Sequence, residues 1–259
     1  MTQTAQTWQP PLSFEEKLKK LFVPSSLYIR YKARKEFRSG EKEIALLPFL
    51  ADGQSIALDI GANKGVWSYL LAQICPEVHA FEPNPKMFSV LKNCAGDTTT
   101  CHPVALSNQS GQSSLFIPRR KSGGLSNQGG SLSTRISDRD HQEVTVETRR
   151  LDEYNFDKIG FIKIDVEGFE MAVLEGAKET LARCRPTLVI ELEAHHTGRP
   201  LPDLIREVES YGYEAYFLDG NALSKFSMAY SGNPLTKCGD YLFNFIFLPC
   251  DRNAASPET

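Results

Sequence analysis

The sequence predicts an α/β fold in which a mostly parallel sheet carries helices on both faces, and three observations support it. From Ser55 onward, strand-length apolar runs alternate with amphipathic helix-length segments, the pattern of a parallel sheet covered on both sides. Four runs stop at, or within two residues of, an acid: Asp59, Glu82, Asp165 and Glu191. In an open α/β sheet ligands bind at that carboxyl edge. Finally, Ile56-Ala57-Leu58-Asp59-Ile60-Gly61-Ala62-Asn63-Lys64-Gly65 reads as a buried strand dropping into a glycine turn and then a helix. Gly61 and Gly65 permit positive φ and let a ligand lie on the main chain.

At 259 residues and 41% hydrophobic composition the chain can bury one large core. A single α/β domain over 51–250 is expected, with an N-terminal helical extension over 1–50 and a tail over 251–259. Residues 1–12 are polar and proline-bearing, hence expected to be loose. Ser13-Phe14-Glu15-Glu16 has capping-box spacing and predicts a first helix carrying Leu18, Leu21 and Phe22. The pattern is helical again over 27–50, where Arg30, Lys32, Arg34, Lys35 and Arg38 form a basic face, either solvated or docking an anionic partner.

Ile56–Ile60 is the first strand, followed by a helix with Val66, Trp67, Leu70, Leu71 and Ile74 on one side. Val78–Phe81 is the second strand. Asn84 then caps a helix whose first turn holds Pro85 and whose inner face holds Met87, Phe88 and Leu91. Residues 99–106 and 113–117 read as strands. The interval 118–142 carries Gly123, Gly124, Gly129 and Gly130 together with Arg119, Arg120, Lys121 and Arg135. It is too long for a simple connector and reads as a lid or a surface insertion. Strands follow at 144–146 and 161–165, a helix at 169–175, and a strand at 187–192. A helix bearing Leu201, Leu204, Ile205, Val208 and Tyr211 precedes closing strands at 214–218 and 243–248.

A formal charge of −3 does not favour nucleic acid as partner. The first thirty residues hold no apolar stretch of signal-peptide length, and no segment reaches membrane-spanning length. The cysteines Cys75, Cys94, Cys101, Cys184, Cys238 and Cys250 form no C-x-x-C pair. They read as reduced thiols of a cytoplasmic protein.

Glu82 lies 23 residues after Asp59, one strand–helix–strand step, where nucleotide-binding α/β folds place the acid that receives the ribose hydroxyls. Two cofactors compete for such a site. A dinucleotide wants G-x-G-x-x-G, which the turn Gly61-Ala62-Asn63-Lys64-Gly65 does not offer. S-adenosylmethionine has no phosphate to cradle. Pro83 and Pro85 stiffen the backbone just after the acid.

The blocks Leu58 to Gly65, Phe81-Glu82-Pro83-Asn84-Pro85, Val104-Ala105-Leu106-Ser107 and Ile162-Lys163-Ile164-Asp165-Val166-Glu167-Gly168-Phe169-Glu170 occur in that order. Together with Arg185-Pro186 before the Glu191 strand, they resemble the FkbM family of S-adenosylmethionine-dependent methyltransferases over roughly residues 50–250. The resemblance implies a class I methyltransferase fold, Rossmann-like, with a seven-stranded sheet whose last strand is antiparallel. It implies O-methylation of a small-molecule or glycan acceptor with a free hydroxyl. It places Asp59, Gly61, Ala62, Asn63 and Gly65 at the methionine end of the cofactor and Glu82 on the ribose with Pro83 and Asn84 beside it. Val104, Ala105 and Ser107 fall near the adenine, and Asp165, Glu167, Gly168 and Glu191 on the acceptor side.

An alcohol acceptor needs a base, for which Asp165, Glu167 and His195 are the candidates. Asp165, Glu191, Glu193, His195 and His196 also hold oxygen and nitrogen donors suited to a divalent ion. Spacing does not show that they converge, so no metal ligands are assigned. If Arg119, Arg120, Lys121 and Arg135 face the pocket, the acceptor carries phosphate or carboxylate. An NAD-dependent oxidoreductase and a non-catalytic cofactor-binding module are the rival readings. The oligomeric state is left open, a homodimer included.

Overall fold

A computed structural model describes residues 3–4, 23–119, 125–126, 130–132, 140–227 and 241–250. The expected helix around Ser13 to Phe22, residues Arg120, Lys121 and Arg135 of the long loop, and Cys238 lie outside these residues. In chain order the elements are β1 (Gln3–Thr4), α1 (Ser25–Ser39), α2 (Leu47–Leu50), β2 (Ile56–Ile60), α3 (Val66–Leu71), β3 (Val78–Phe81), α4 (Pro85–Cys94), β4 (Thr99–His102), β5 (Ala105–Leu106), β6 (Gly111–Pro118) and β7 (His141–Arg149). There follow β8 (Ile159–Ile164), α5 (Glu170–Glu175), α6 (Lys178–Cys184), β9 (Thr187–Glu191), α7 (Ala194–Thr197), α8 (Leu201–Glu209), β10 (Tyr213–Asp219), β11 (Ala222–Lys225) and β12 (Asn244–Pro249).

The main sheet runs β11-β10-β12-β9-β8-β2-β3-β4. Strands β4, β3, β2, β8 and β9 pair in parallel, while β12, the last in sequence, is antiparallel to both β9 and β10. Strands β2 and β8 are buried on both faces, so their side chains alternate between two cores. Leu58, Ile60, Ile162, Ile164, Leu188 and Ile190 point to one side, where α8 seals them with Leu204, Ile205 and Val208. Ala57, Phe161, Val189 and Ile246 point to the other, against Trp67, Leu71, Ile44 and Leu47. Burying each such aliphatic side chain contributes about 1.5–3 kcal/mol.

This is the expected class I methyltransferase sheet with an eighth strand at its edge. Strand β11 pairs with β10 through a two-residue turn, Asp219 lying opposite Ala222. Gly220 occupies that turn at φ 66°, a hairpin signal legible in Asp219-Gly220-Asn221. The run 99–106 is likewise two strands rather than one. Pro103 lacks an amide donor to continue the ladder, so β4 stays in the main sheet and β5 pairs with β7 in a second, smaller one. There β6 pairs with β7 over eight residues, and β1 adds to its other side. The long 118–142 interval is the connection of this β6–β7 hairpin. Helices α6 and α7 are additions to the expected pattern, which passes from the 169–175 helix to the 187–192 strand and then to the helix bearing Leu201.

No helix among the described residues is long and apolar enough to cross a membrane. Cys75 is buried, Cys94, Cys101 and Cys184 are half-buried and Cys250 is exposed; all five are free thiols.

Candidate functional site

A cleft of about 680 Å³, its open mouth included, lies at the carboxyl ends of β2, β3 and β8. Its floor is the turn after β2. Gly61 takes φ +83°, and a Cβ there would fall 1.8 Å from the Asp165 carbonyl oxygen. Glycine is therefore demanded first by the close crossing of two strand tips, which the Asp165 amide fastens by donating to the Ile60 carbonyl at 2.9 Å. Asn63 adopts φ 49°, a left-handed conformation that asparagine tolerates.

Glu82 ties this turn to the next one. One carboxylate oxygen accepts from the Asn63 amide at 2.7 Å and the other from the Asn84 amide at 2.8 Å. Asn84 in turn caps α4, its side-chain oxygen accepting from the Lys86 amide. Burial outweighs these hydrogen bonds and pushes the Glu82 carboxyl up to about 7. Each of its oxygens keeps a second lone pair for a hydroxyl.

The remaining wall comes from Val104, Ala105 and Leu106, from Leu115 on β6, and from Asp165, Val166, Glu167 and Phe169 after β8. Gly130, Ser131 and Leu132 of the long loop close over it. Ser131 is pinned by mutual backbone hydrogen bonds with Phe116, and its hydroxyl donates to the Glu167 carbonyl at 2.7 Å. Arg119, by contrast, is engaged by Asp140 and Gln142 and does not line the cleft.

Of the residues expected at the cofactor, Gly61, Asn63, Glu82, Pro83, Asn84, Val104, Ala105 and Asp165 line the cleft. Asp59, Ala62, Gly65 and Ser107 do not. Asp59 points behind the turn, accepts from Ser68 at 2.5 Å, and is raised to about 6 by burial. Ala62 packs on Ala80 and Leu91, Gly65 caps α3 in the left-handed region, and the Ser107 amide donates to Arg149. Leu106 stands in the wall beside Ala105 instead. Strand alternation could have separated these groups, because Asp59 shares the face of Ala57 and not that of Leu58 and Ile60.

The same alternation exposes Lys163, whose role the sequence did not reveal. It is 1% exposed, donates to Asn244 Oδ1 at 2.9 Å, lies 3.7 Å from Glu41 Oε2, and sits 5.3 Å above the Trp67 ring. Glu41 also accepts from Asn244 and Trp67. Burial by itself lowers the lysine, but the fields of Glu41, Asp165, Glu191 and Asp59 more than reverse it, so the ammonium stays charged. Asp165 is raised by burial. Glu191 is raised by burial and then by the Asp165 charge. A lysine inside the apolar run Phe161 to Ile164 was itself the signal, since a buried charge requires partners.

Of the residues expected on the acceptor side, Asp165 and Glu167 line the cleft, whereas Gly168, Glu191 and His195 do not. Gly168, at φ +98°, passes beneath α7, where a Cβ would meet the His196 carbonyl at 2.9 Å. That approach brings Glu167 Oε2 within 3.2 Å of His196 Nε2. His195 Nδ1 lies 2.8 Å from Glu193 Oε2, and its side chain is 59% exposed.

A sheet in this order, with a carboxylate-lined cleft at its carboxyl edge, is the frame of the class I methyltransferases. The chain belongs to the methyltransferase FkbM domain family, whose profile matches residues 59–215. It is 28% identical over 194 residues to 2-O-methyltransferase NoeI of Sinorhizobium fredii, covering 68% of this chain and 79% of that protein. It is 27% identical over 197 residues to Methyltransferase 1 of Beauveria bassiana, covering 64% and 78%. Among solved structures, methyltransferase FkbM from Methylobacillus flagellatus KT is similar with a TM-score of 0.49 and 18% identity, over 86% of this chain and 54% of that one. The chain thus spans about half the length of that protein.

Proposed function

We propose that this protein is an S-adenosylmethionine-dependent O-methyltransferase acting on a free hydroxyl of a small-molecule or glycan acceptor. One observation carries the reading. Glu82, Asp165 and Glu167 line the cleft and, among the described residues, no lysine or arginine does. Such a lining offers no cation to the pyrophosphate of a dinucleotide and suits a cationic sulfonium. The donor set fits the rest of the cofactor as well. Glu82 meets the ribose hydroxyls, Gly61 and Asn63 flank the methionine end, and Val104, Leu106 and Met87 supply an apolar slot for the adenine. Asp59, Ala62 and Gly65 act from behind, by holding the turn.

Bound there, S-adenosylmethionine supplies an electrophilic methyl group whose transfer to oxygen forms a C–O bond, breaks the S–CH₃ bond and leaves a neutral thioether. The chain's own contribution is position and proton removal. Asp165 is assigned as the base because it lines the cleft between the cofactor turn and Glu167, and its burial raises its affinity for the proton it receives. Glu167 orients the hydroxyl. Leu132 and Phe169 keep water from the reacting atoms, and holding acceptor and donor in line supplies much of the rate. The name of the Sinorhizobium relative supports oxygen as the acceptor atom.

Transfer of labelled methyl groups to a panel of sugars, glycans and polyketide-type alcohols tests this. Asp165→Asn is expected to bind S-adenosylhomocysteine while losing transfer by about 100-fold or more. Tight binding of NADH without any response to S-adenosylhomocysteine would overturn the assignment.

A further inference from the structure

Glu193, His195 and His196 offer three ligand atoms that all lie within 4.8 Å of one another. From this juxtaposition we infer that the turn around α7 is a binding site for a divalent transition-metal ion, beside the acceptor end of the cleft. Two donors about 2.1 Å from one ion stand about 3.0–3.4 Å apart for angles between 90° and tetrahedral. The 2.8 Å between His195 Nδ1 and Glu193 Oε2 needs little adjustment to reach that spacing. The two imidazoles are packed with ring centroids 4.0 Å apart.

The surroundings have the form of a metal site that takes substrate. Glu167, 3.2 Å from His196 Nε2, is the carboxylate that orients one ring nitrogen and leaves the other for the ion. Gly168, with no Cβ and φ +98°, allows α7 to approach Glu167 so closely. Glu193 is 15% exposed and His196 21%, while His195 faces solvent at 59%, so the cluster is sheltered yet reachable. Three protein ligands leave coordination positions for outside oxygen atoms, as in catalytic rather than structural sites. Two imidazoles with one carboxylate select a borderline ion such as Zn²⁺, Co²⁺ or Ni²⁺ over Mg²⁺ or Ca²⁺, which prefer all-oxygen sets.

Glu167 links this cluster to the cleft, because it both lines the cleft and touches His196. The ion's role rests on the methyl-transfer reading: it holds the acceptor by a hydroxyl oxygen next to the one methylated, which favours acceptors with vicinal hydroxyls. Binding of the ion does not depend on that reading.

Calorimetry on the tag-free chain, with Zn²⁺ and Mg²⁺ as probes, tests the site. One Zn²⁺ is expected per chain, with Mg²⁺ unable to compete. The double variant Glu193→Gln, His195→Asn is expected to weaken Zn²⁺ binding by about tenfold or more. His195 is exposed, and the single variant His195→Asn keeps the fold intact if the double variant does not. Equal Zn²⁺ affinity in the wild type and in folded His195→Asn would overturn the site, as would equal affinity for Mg²⁺. S-adenosylhomocysteine binding, measured on the same samples, separates the two proposals. In the wild type, failure to bind S-adenosylhomocysteine alone counts against the cofactor reading, and failure to bind Zn²⁺ alone counts against the metal.

Discussion

Glu82 shows how a single carboxylate shapes the cleft before any ligand arrives. It accepts from the amides of Asn63 and Asn84 and so holds two turns at a fixed separation. Glu82→Gln replaces one acceptor by an NH₂ group facing a backbone donor. We expect affinity for S-adenosylhomocysteine to fall by about tenfold or more, given roughly 1–3 kcal/mol for a buried group left unsatisfied. Unchanged affinity by calorimetry would separate this residue from the cofactor. Glu170 provides a second test. Its Oε1 accepts from the Gly168 amide, its Oε2 is buried without a hydrogen-bond partner among the described residues, and burial raises its carboxyl to about 7. Because the folded value exceeds the unfolded one, the associated stability is present in full below about pH 4.5 and is lost as pH rises toward 7. Relative to Glu170→Gln, the wild type should lose about 3 kcal/mol between pH 4 and pH 8. Parallel urea titrations at the two ends of that range would contradict it.

At the level of strands and helices, the Lys163 network joins elements far apart in sequence. It connects β8 to β12 through Asn244 and to the segment before α2 through Glu41. Removing the ammonium leaves Glu41 and the strand-end acids without their buried counter-charge. Lys163→Met is therefore expected to destabilise the fold by about 3–5 kcal/mol in urea denaturation, even though methionine fills a similar volume. A loss below about 1 kcal/mol would mean that these carboxylates are neutral in the wild type. The β6–β7 hairpin serves differently. Its connection returns at Gly130 to Leu132 to roof the cleft, anchored by Ser131 on Phe116 and Glu167, so one element of the small sheet finishes a site founded on the large one.

For the molecule as a whole, the cleft is assembled from both sheets, and ligand binding there should couple to global stability. S-adenosylhomocysteine at about 100 times its Kd is expected to add roughly 2.7 kcal/mol. For a chain of this size that corresponds to a rise in melting temperature of about 5 °C or more. NADH at the same concentration should leave the melting temperature unchanged. The opposite pattern would point to a dinucleotide fold.

Local chemistry made much of this architecture readable in advance. Apolar runs of strand length, the Gly61–Gly65 turn, the Asn84-Pro85 helix start and acids at strand ends are short-range signals, and they placed the parallel sheet, the edge that bears the cleft and about half of the cleft lining. What remained hidden depended on which distant groups share a face or a turn. Asp59 lies one residue before a lining position, yet the pleat sends it behind the turn to Ser68. Lys163 acquires its partners from residues 41 and 244, and no local pattern records that pairing. Glu167 meets His196 because Gly168 lets two loops touch, a contact between segments separated by a full helix–strand unit. Pleat, burial and chain crossing are three-dimensional properties, so tertiary packing assigned these side chains to ligand, scaffold or counter-charge after sequence had supplied their chemistry.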